Sequence, residues 1–288
     1  MEGLETGSFV RGPLPLEWPE QIRLVSWNVN RGLQLEGIIE FLAGQRADLI
    51  LLQETDINAR RTLYRNIPRE IARALQMNYV FGREFEELGQ GSRKCPAFHG
   101  QTTLSRLPLS NPRILQFRRQ STFWSPRWFI PCFQIFQRRL GARMALVSEV
   151  TLQSRTLVLY NVHLESRGKS ELRYGQLSEM LTWIGRDSAE KLSIVGGGDF
   201  NFDISRGSSA VLVGSTQLNS PFAQLGAVPT ARSYRHPKGI AIDWVLSSKA
   251  LCACNPVIHN SVVASDHYPL TLTLDLINSR GESRCQAL

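Results

Sequence analysis

The feature that most constrains this sequence is a set of short apolar runs with little polar alternation, each joined to a residue able to bind a metal or move a proton. Leu49–Leu52 is the plainest, aliphatic throughout and followed by Gln53-Glu54. A strand of this kind is buried on both faces, so it belongs inside a sheet that is covered on each side. Ile22–Trp27 ends at Asn28, Thr156–Val162 at His163, and Leu192–Val195 runs into Gly196-Gly197-Gly198-Asp199-Phe200-Asn201. Strand ends and the loops beyond them are where α/β folds place reacting groups. A single strand-terminal Asp is an ordinary cap or turn former, so the weight lies in the repetition.

Helical signals separate these runs. Leu35, Ile38, Ile39 and Leu42 recur at helical spacing, and Asn66-Ile67-Pro68 opens a second helix through Leu75, with proline tolerated in the first turn. Leu172, Leu177, Met180, Leu181 and Ile184 mark a third from Ser170 to Ile184. Tyr79–Phe85, Gln101–Leu104, Met144–Val150, Ile240–Leu246 and Leu270–Leu276 read as further strands. Ser205–Lys238, rich in Gly, Ser and Pro, predicts surface loops with one short helix. No linker divides the middle of the chain, so one α/β domain of two sheets with outer helices is expected over residues 20–278. A loose arm is expected over residues 1–19 and a tail over 279–288.

Charge narrows the partners. The 33 Lys+Arg residues exceed the 25 Asp+Glu by 8, which favours nucleic acid or an anionic membrane surface. No stretch approaches the roughly 20 apolar residues of a membrane span. The N-terminus lacks the basic flank and apolar core of a signal peptide. Cys95, Cys132, Cys252, Cys254 and Cys285 show no zinc-like spacing and are read as reduced thiols of a cytoplasmic protein.

The strand-end residues fall in ordered blocks: Leu24-Val25-Ser26-Trp27-Asn28-Val29-Asn30, Leu51-Leu52-Gln53-Glu54, Leu104-Ser105-Arg106, Asn161-Val162-His163-Leu164-Glu165-Ser166, Gly198-Asp199-Phe200-Asn201, Ile242-Asp243-Trp244 and Ser265-Asp266-His267. In this order they resemble the endonuclease/exonuclease/phosphatase superfamily, which includes DNase I, AP endonucleases, neutral sphingomyelinases and tyrosyl-DNA phosphodiesterase. The resemblance spans Ile22 to Leu276. It implies a four-layered, DNase I-like α/β sandwich, two packed mixed sheets with outer helices, and a metal-dependent hydrolase acting on phosphoric ester bonds.

The resemblance also implies roles. Glu54 would be the principal ligand of Mg²⁺ or Mn²⁺, hard cations that prefer carboxylate and water oxygens, with Asn28 assisting it or holding the phosphate. Asp199 would orient or deprotonate the attacking water, and Asn201 would donate to the phosphoryl oxygen as charge develops. Gly196 and Gly197 would let the backbone crowd close to the site. Asp243 would pair with His267 as base or phosphate stabiliser, and Asp266 could contribute to metal or water binding. His163 would contact phosphate or act near the leaving group, oriented by a glutamate for which Glu84 is the match.

Branch markers lean one way. AP endonucleases usually carry tyrosine at the position of His163, and inositol polyphosphate phosphatases carry a tryptophan ahead of Gly-Asp-x-Asn and a Cys-Asp-Arg block, both missing here. His163-Leu164-Glu165-Ser166 with Arg173 and Gln176 is closer to the tyrosyl-DNA phosphodiesterases, although that branch prefers threonine where Phe200 stands. Pro108–Arg143 reads as a basic aromatic insert carrying Arg113, Arg118, Arg119, Arg127, Arg138, Arg139 and Arg143 among Phe123, Trp124, Trp128, Phe129, Phe133 and Phe136. That composition suits single-stranded nucleic acid, a lipid headgroup layer, or a packed flap whose aromatics are core. Nucleic acid is the first expected substrate class and phospholipid or sphingomyelin the second. A rival reading is an inactive binding module with the same fold.

Overall fold

Leu24, Val25 and all of Leu49–Leu52 are fully buried, as strands covered on both faces require. The computed structural model describes residues 3–13, 18–124, 137–153, 155–190, 192–226, 228–234 and 236–276. In chain order come β1 (Leu4–Ser8), β2 (Gln21–Arg31), α1 (Leu35–Gln45), β3 (Leu49–Ile57), α2 (Ile67–Leu75), β4 (Asn78–Glu87), β5 (Phe98–Ser105), β6 (Ser110–Gln116) and β7 (Arg139–Gly141). There follow β8 (Met144–Leu152), β9 (Arg155–His163), α3 (Ser170–Ala189), β10 (Ser193–Asp199), α4 (Gly207–Gly214), β11 (Leu218–Asn219), β12 (Ala231–Ser233) and β13 (His236–Ile240). The last three are β14 (Asp243–Ser248), β15 (Leu251–Ile258) and β16 (Leu270–Leu276).

One sheet runs β1-β4-β5-β3-β2-β16-β15 with β7 beside β4, the other β11-β14-β10-β9-β8-β6, and β12 and β13 form a separate hairpin. Both large sheets are mixed, since β2 and β3 are parallel, as are β9 and β10, whereas their other neighbours are antiparallel. Side chains alternate across each strand, and the two faces meet different partners. On β2 and β3, Ile22, Leu24, Leu49 and Leu51 join the core shared with the second sheet. Val25, Trp27, Ile50 and Leu52 pack instead with Leu35, Ile38 and Leu42 of α1 and Ile67 and Ile71 of α2. Leu177, Met180 and Ile184 of α3 belong to the core that contains β9 and β10. The result is the four-layered sandwich, helix on sheet on sheet on helix.

A polar bridge crosses the buried sheet interface. Gln53 Nε2 donates to Asn161 Oδ1 at 2.8 Å, and Asn161 Nδ2 donates to the carbonyls of Leu52 and Thr102 at 3.0 Å. Each buried amide is thus tied to the opposite sheet, which sets the alignment of β3 against β9 just short of their functional ends.

Several sequence expectations are corrected. Leu4–Ser8 is an edge strand along β4 rather than part of a loose arm, anchored where Glu5 accepts from Asn66 and Tyr79. Within Pro108–Arg143, Ser110–Gln116 is an integral strand beside β8, and Arg139–Gly141 pairs with β4. The stretch is therefore not an appended insert, and its Arg127, Trp128, Phe129, Phe133 and Phe136 lie outside the described residues. Leu251–Ile258, unassigned from sequence, pairs with β16. Ser205–Lys238 holds the expected short helix together with much of a β-hairpin. Cys95 is a free thiol, but Cys254 is disulfide-bonded, which departs from five reduced thiols. Among the described residues no helix is long and apolar enough to cross a membrane.

Trp124 settles the role of its own part of the stretch. It is buried, packs against Phe85 with ring centroids 5.2 Å apart, and donates its Nε1–H to both Glu165 oxygens at 3.0 and 2.9 Å. Trp124→Ala is expected to destabilise the fold by about 3–5 kcal/mol, measured by urea unfolding, because it opens a cavity and leaves a buried carboxylate with the Arg167 backbone N–H as its remaining hydrogen-bond donor. A loss below about 1 kcal/mol would show that the ring is not a core element.

Candidate active site

Strand alternation brings most of the site together. On β2, Asn28 shares the face of Ile22 and Leu24, and on β10, Asp199 shares the face of Gly197, whose missing side chain makes room for Leu51 of the opposing sheet. These two inward residues meet where Asn28 Nδ2 donates to Asp199 Oδ2 at 3.0 Å. The crowding expected at Gly196 and Gly197 is most severe at Gly198. Its φ of +147° and its contact with the Val162 carbonyl leave no space for a side chain. Glycine there lets β10 run close beside β9, so that Asp199 is in register with His163.

Glu54 reaches the site against the alternation. By parity it should follow Ile50 and Leu52 toward α1 and α2, but its φ is +55° and the register with β5 shifts between Leu52 and Thr55. This bulge turns the carboxylate across the crevice, to 4.0 Å from His163 Nε2 on the other sheet and 3.5 Å from Arg31. Bulges re-aim side chains in this way next to active sites. Burial alone would raise the Glu54 pKa, but Arg31, His99, His163 and Arg139 together hold it well below the ordinary carboxylate range. An ionised, partly exposed carboxylate is a hard oxygen donor, and the residue fits a divalent cation of the magnesium type.

Asp199 is the hub. It is 2% exposed, lies 3.5 Å from His163 Nε2 and 3.7 Å from His267 Nε2, and accepts from the Asn201 backbone N–H at 2.8 Å. Burial raises its pKa, and Asp243 adds to that, against the opposing charge of His267. His267 Nδ1 lies 3.0 and 2.9 Å from the two Asp243 oxygens. Thr230 Oγ1 donates to Asp243 Oδ2 at 2.7 Å and accepts from the Asp243 backbone N–H, fixing the carboxylate from below. Burial works against the imidazolium, yet Asp243 and Asp199 outweigh it and push the His267 pKa up to about 10. Ligand atoms of Asp199, Asp243 and His267 lie within 4.8 Å of one another, so this group too could hold a metal ion, and without one it is a carboxylate–imidazole–carboxylate array.

This charge has a stability consequence. The folded pKa of His267 exceeds the unfolded value of about 6.5, so its contribution is fully present below that pH and is lost as pH rises through about 10. The melting temperature is expected to fall from pH 7 to pH 10, and to fall less in His267→Gln. Equal slopes in a calorimetric series would show that the imidazole is not held charged.

Other candidates sit less simply. His163 is 2% exposed, and burial first, then Arg143, holds its pKa well below 6.5, so it is neutral. Glu84 lies 3.9 Å from His163 Nδ1 and does not hydrogen-bond to it. Arg143 Nη1 takes Glu84 Oε1 instead at 2.9 Å, while burial pushes the Glu84 pKa up to about 7. Asn201 spends one N–H on the Leu164 carbonyl at 2.9 Å and keeps a second. Asp266 stands apart from the Asp199–Asp243–His267 group, exposed and with Oδ1 3.4 Å from Ser265 Oγ.

The sequence reading passed over a second Asp–His pair. His99 Nδ1 lies 2.8 Å from Asp56 Oδ1, Arg61 grips Asp56 at 2.6 and 2.9 Å, and His99 Nε2 is buried without a hydrogen-bond partner. Asp56 lies opposite His99 across β3 and β5, two residues beyond Glu54. The one available sign was another acid and a histidine close to strand ends, with no motif to join them.

Against known proteins, the description "Endonuclease/Exonuclease/phosphatase family" matches residues 25–267. The chain belongs to that family. Members are generally metal-dependent phosphoesterases. No protein of curated function matches the sequence. Among solved structures, an endonuclease/exonuclease/phosphatase from Beutenbergia cavernae DSM 12333 is 16% identical with a TM-score of 0.65, over 90% of this chain and 72% of that one. The human Nocturnin catalytic domain is 15% identical with a TM-score of 0.63, over 95% and 97%. TDP2 of D. rerio, solved with a single-strand DNA product, is 19% identical with a TM-score of 0.59, over 89% and 100%. These likenesses establish the DNase I-like fold.

Proposed function

We propose that this protein is a divalent-metal-dependent phosphodiesterase acting on nucleic acid by in-line attack of water. The observation that carries the reading is Asp199, a buried carboxylate of raised pKa within reach of Asn28, His163 and His267, with Glu54 4.0 Å from the same His163 nitrogen. Burial of this kind makes a carboxylate a competent base near neutral pH. Asp199 accepts a proton from water as its oxygen attacks phosphorus, and the bond from phosphorus to the leaving oxygen breaks. The charged Nε2–H of His267 and the spare N–H of Asn201 stabilise the phosphoryl oxygens as negative charge gathers there. His163, neutral and buried, donates an N–H hydrogen bond near the leaving oxygen, which takes up its proton from solvent. Glu54, with Asn28 beside it, would hold Mg²⁺ or Mn²⁺, which when bound supplies charge neutralisation at the phosphoryl oxygen.

Nucleic acid is favoured by the formal charge of +8 and by the arginine-lined surface beside Glu54. The single-strand DNA product of the D. rerio TDP2 structure supports the same class by likeness of fold. The test is a panel of single-stranded DNA, RNA, 5′-tyrosyl DNA, sphingomyelin and a chromogenic diester with Mg²⁺. Turnover of sphingomyelin alone among the natural classes would move the protein to phospholipid. Glu54→Gln is expected to weaken Mn²⁺ binding at least tenfold by calorimetry, since a neutral amide replaces the main anionic ligand. Full wild-type turnover in excess chelator would end the metal requirement.

A further inference from the structure

Beside Glu54 the surface opens into a cleft of about 880 Å³. That volume lies in the range of small-ligand pockets, about 300–1,000 Å³. Its walls carry Arg31, Arg61, Arg138, Arg139, Arg143 and Arg167, and its lining carboxylates are Glu54 and Glu87. Arg61 and Arg139 share Glu87 at 3.0 and 2.7 Å. The Arg139 and Arg143 guanidiniums stand over one ring, that of Phe85, at 5.1 and 5.3 Å. Arg143 is buried and committed to the protein: its Nη1 pairs with Glu84 at 2.9 Å and its Nε faces Glu165 Oε1 at 4.0 Å. Arg138 and Arg167 pair with no carboxylate among the described residues. Like charges packed this closely repel, and a ligand with several anionic oxygens relieves that repulsion.

We propose that this cleft is a subsite for a second, non-scissile phosphoryl group, so that the preferred substrate carries two phosphoryl groups a few bonds apart. One lies at Asp199 beside Glu54 and is cleaved; the other is gripped by Arg138, Arg139 and Arg167. Guanidinium forks match phosphate oxygens in pairs, which explains arginine throughout the cleft rather than lysine. The assignment of the cleaved group rests on the phosphodiesterase reading, whereas the arginine grip stands without it. The second phosphoryl group comes either from the end of a nucleic-acid strand or from a small bisphosphate.

The binding arm uses inorganic pyrophosphate titrated calorimetrically into the full chain with EDTA present. Binding is expected, and Arg138→Gln/Arg167→Gln, both exposed side chains, is expected to weaken it at least tenfold with an unchanged melting temperature. Undetectable binding, or binding equal in the two proteins, overturns the subsite. The kinetic arm compares dinucleotides with a 5′-phosphate or a 5′-hydroxyl, and a nucleoside 3′,5′-bisphosphate with the corresponding 3′-monophosphate. A wild-type ratio of kcat/KM of at least about tenfold in either pair, falling toward one in the double variant, supports the subsite and names its source. Equal kcat/KM within both pairs overturns it. No turnover of either dinucleotide removes the phosphodiesterase reading, while pyrophosphate binding still decides the cleft.

Discussion

Asp199→Asn is expected to lower kcat on a chromogenic diester by about 10²–10⁴-fold, the range for a lost general base. The loss should appear with little loss of stability. Asp199 is buried and its pKa is raised, so the fold holds its negative charge at a cost; a neutral isostere removes that cost, which offsets the loss of one of two hydrogen bonds, since its single oxygen accepts from Asn28 or from Asn201 but not from both. KM should change little, because the deleted function belongs to the transition state rather than to binding. Single-turnover kinetics at saturating substrate and a melting curve test both halves. Wild-type kcat in this variant would mean that the water proton leaves by another route, and His163, 3.5 Å away and neutral, is the next acceptor to test.

Asp243→Asn and His267→Ala are each expected to lower kcat by about 10²–10³-fold, and the double variant by scarcely more than either single change. The pair acts as one unit. Asp243 holds Nδ1 at 2.9 Å and keeps the ring charged, and the ring presents Nε2 to Asp199 at 3.7 Å. Removing the carboxylate lets the imidazole lose its proton, so the later loss of the ring takes away a group already disabled. Additive losses in the double-mutant cycle would separate the two residues and leave His267 to act without its partner. A chromogenic diester suffices, so the result does not depend on the natural substrate.

Much of the site was legible as a linear pattern because strand polarity does geometric work that sequence records. Asn28, His163 and Asp199 each stand at or near the C-terminal end of an apolar run, and parallel pairing of β2 with β3 and of β9 with β10 carries such ends to one edge of the sandwich. Asp243 and His267, 24 residues apart, were legible as a pair through the family resemblance; β14 lying antiparallel beside β10 sets Asp243 opposite Asp199, and the turn before β16 brings His267 to it. Glu84 behind His163 was legible as a position but not as an interaction. A buried Arg143 from the far side of the chain takes that carboxylate, and only packing decides which of two neighbours wins it.

Taken alone, the sequence determined the layered α/β class, the three principal helices and the strands that carry the chemistry, because hydrophobic period and turn residues are local properties of the chain. It also determined which acids, amides and histidines stand at strand ends. The tertiary structure decided the rest, wherever the outcome depends on a backbone angle or on a partner distant in sequence. It turned Glu54 across the crevice through a bulge that no residue type announces, and it made Leu4–Ser8 a strand by supplying β4 as an edge. It joined Asp56 to His99 across 43 residues, and it gathered arginines numbered from 31 to 167 into one cleft. Charge composition is a sum over the whole chain, whereas a site for an anion needs those charges within a few ångströms of one another, and only the packing of the two sheets and their loops brings them there.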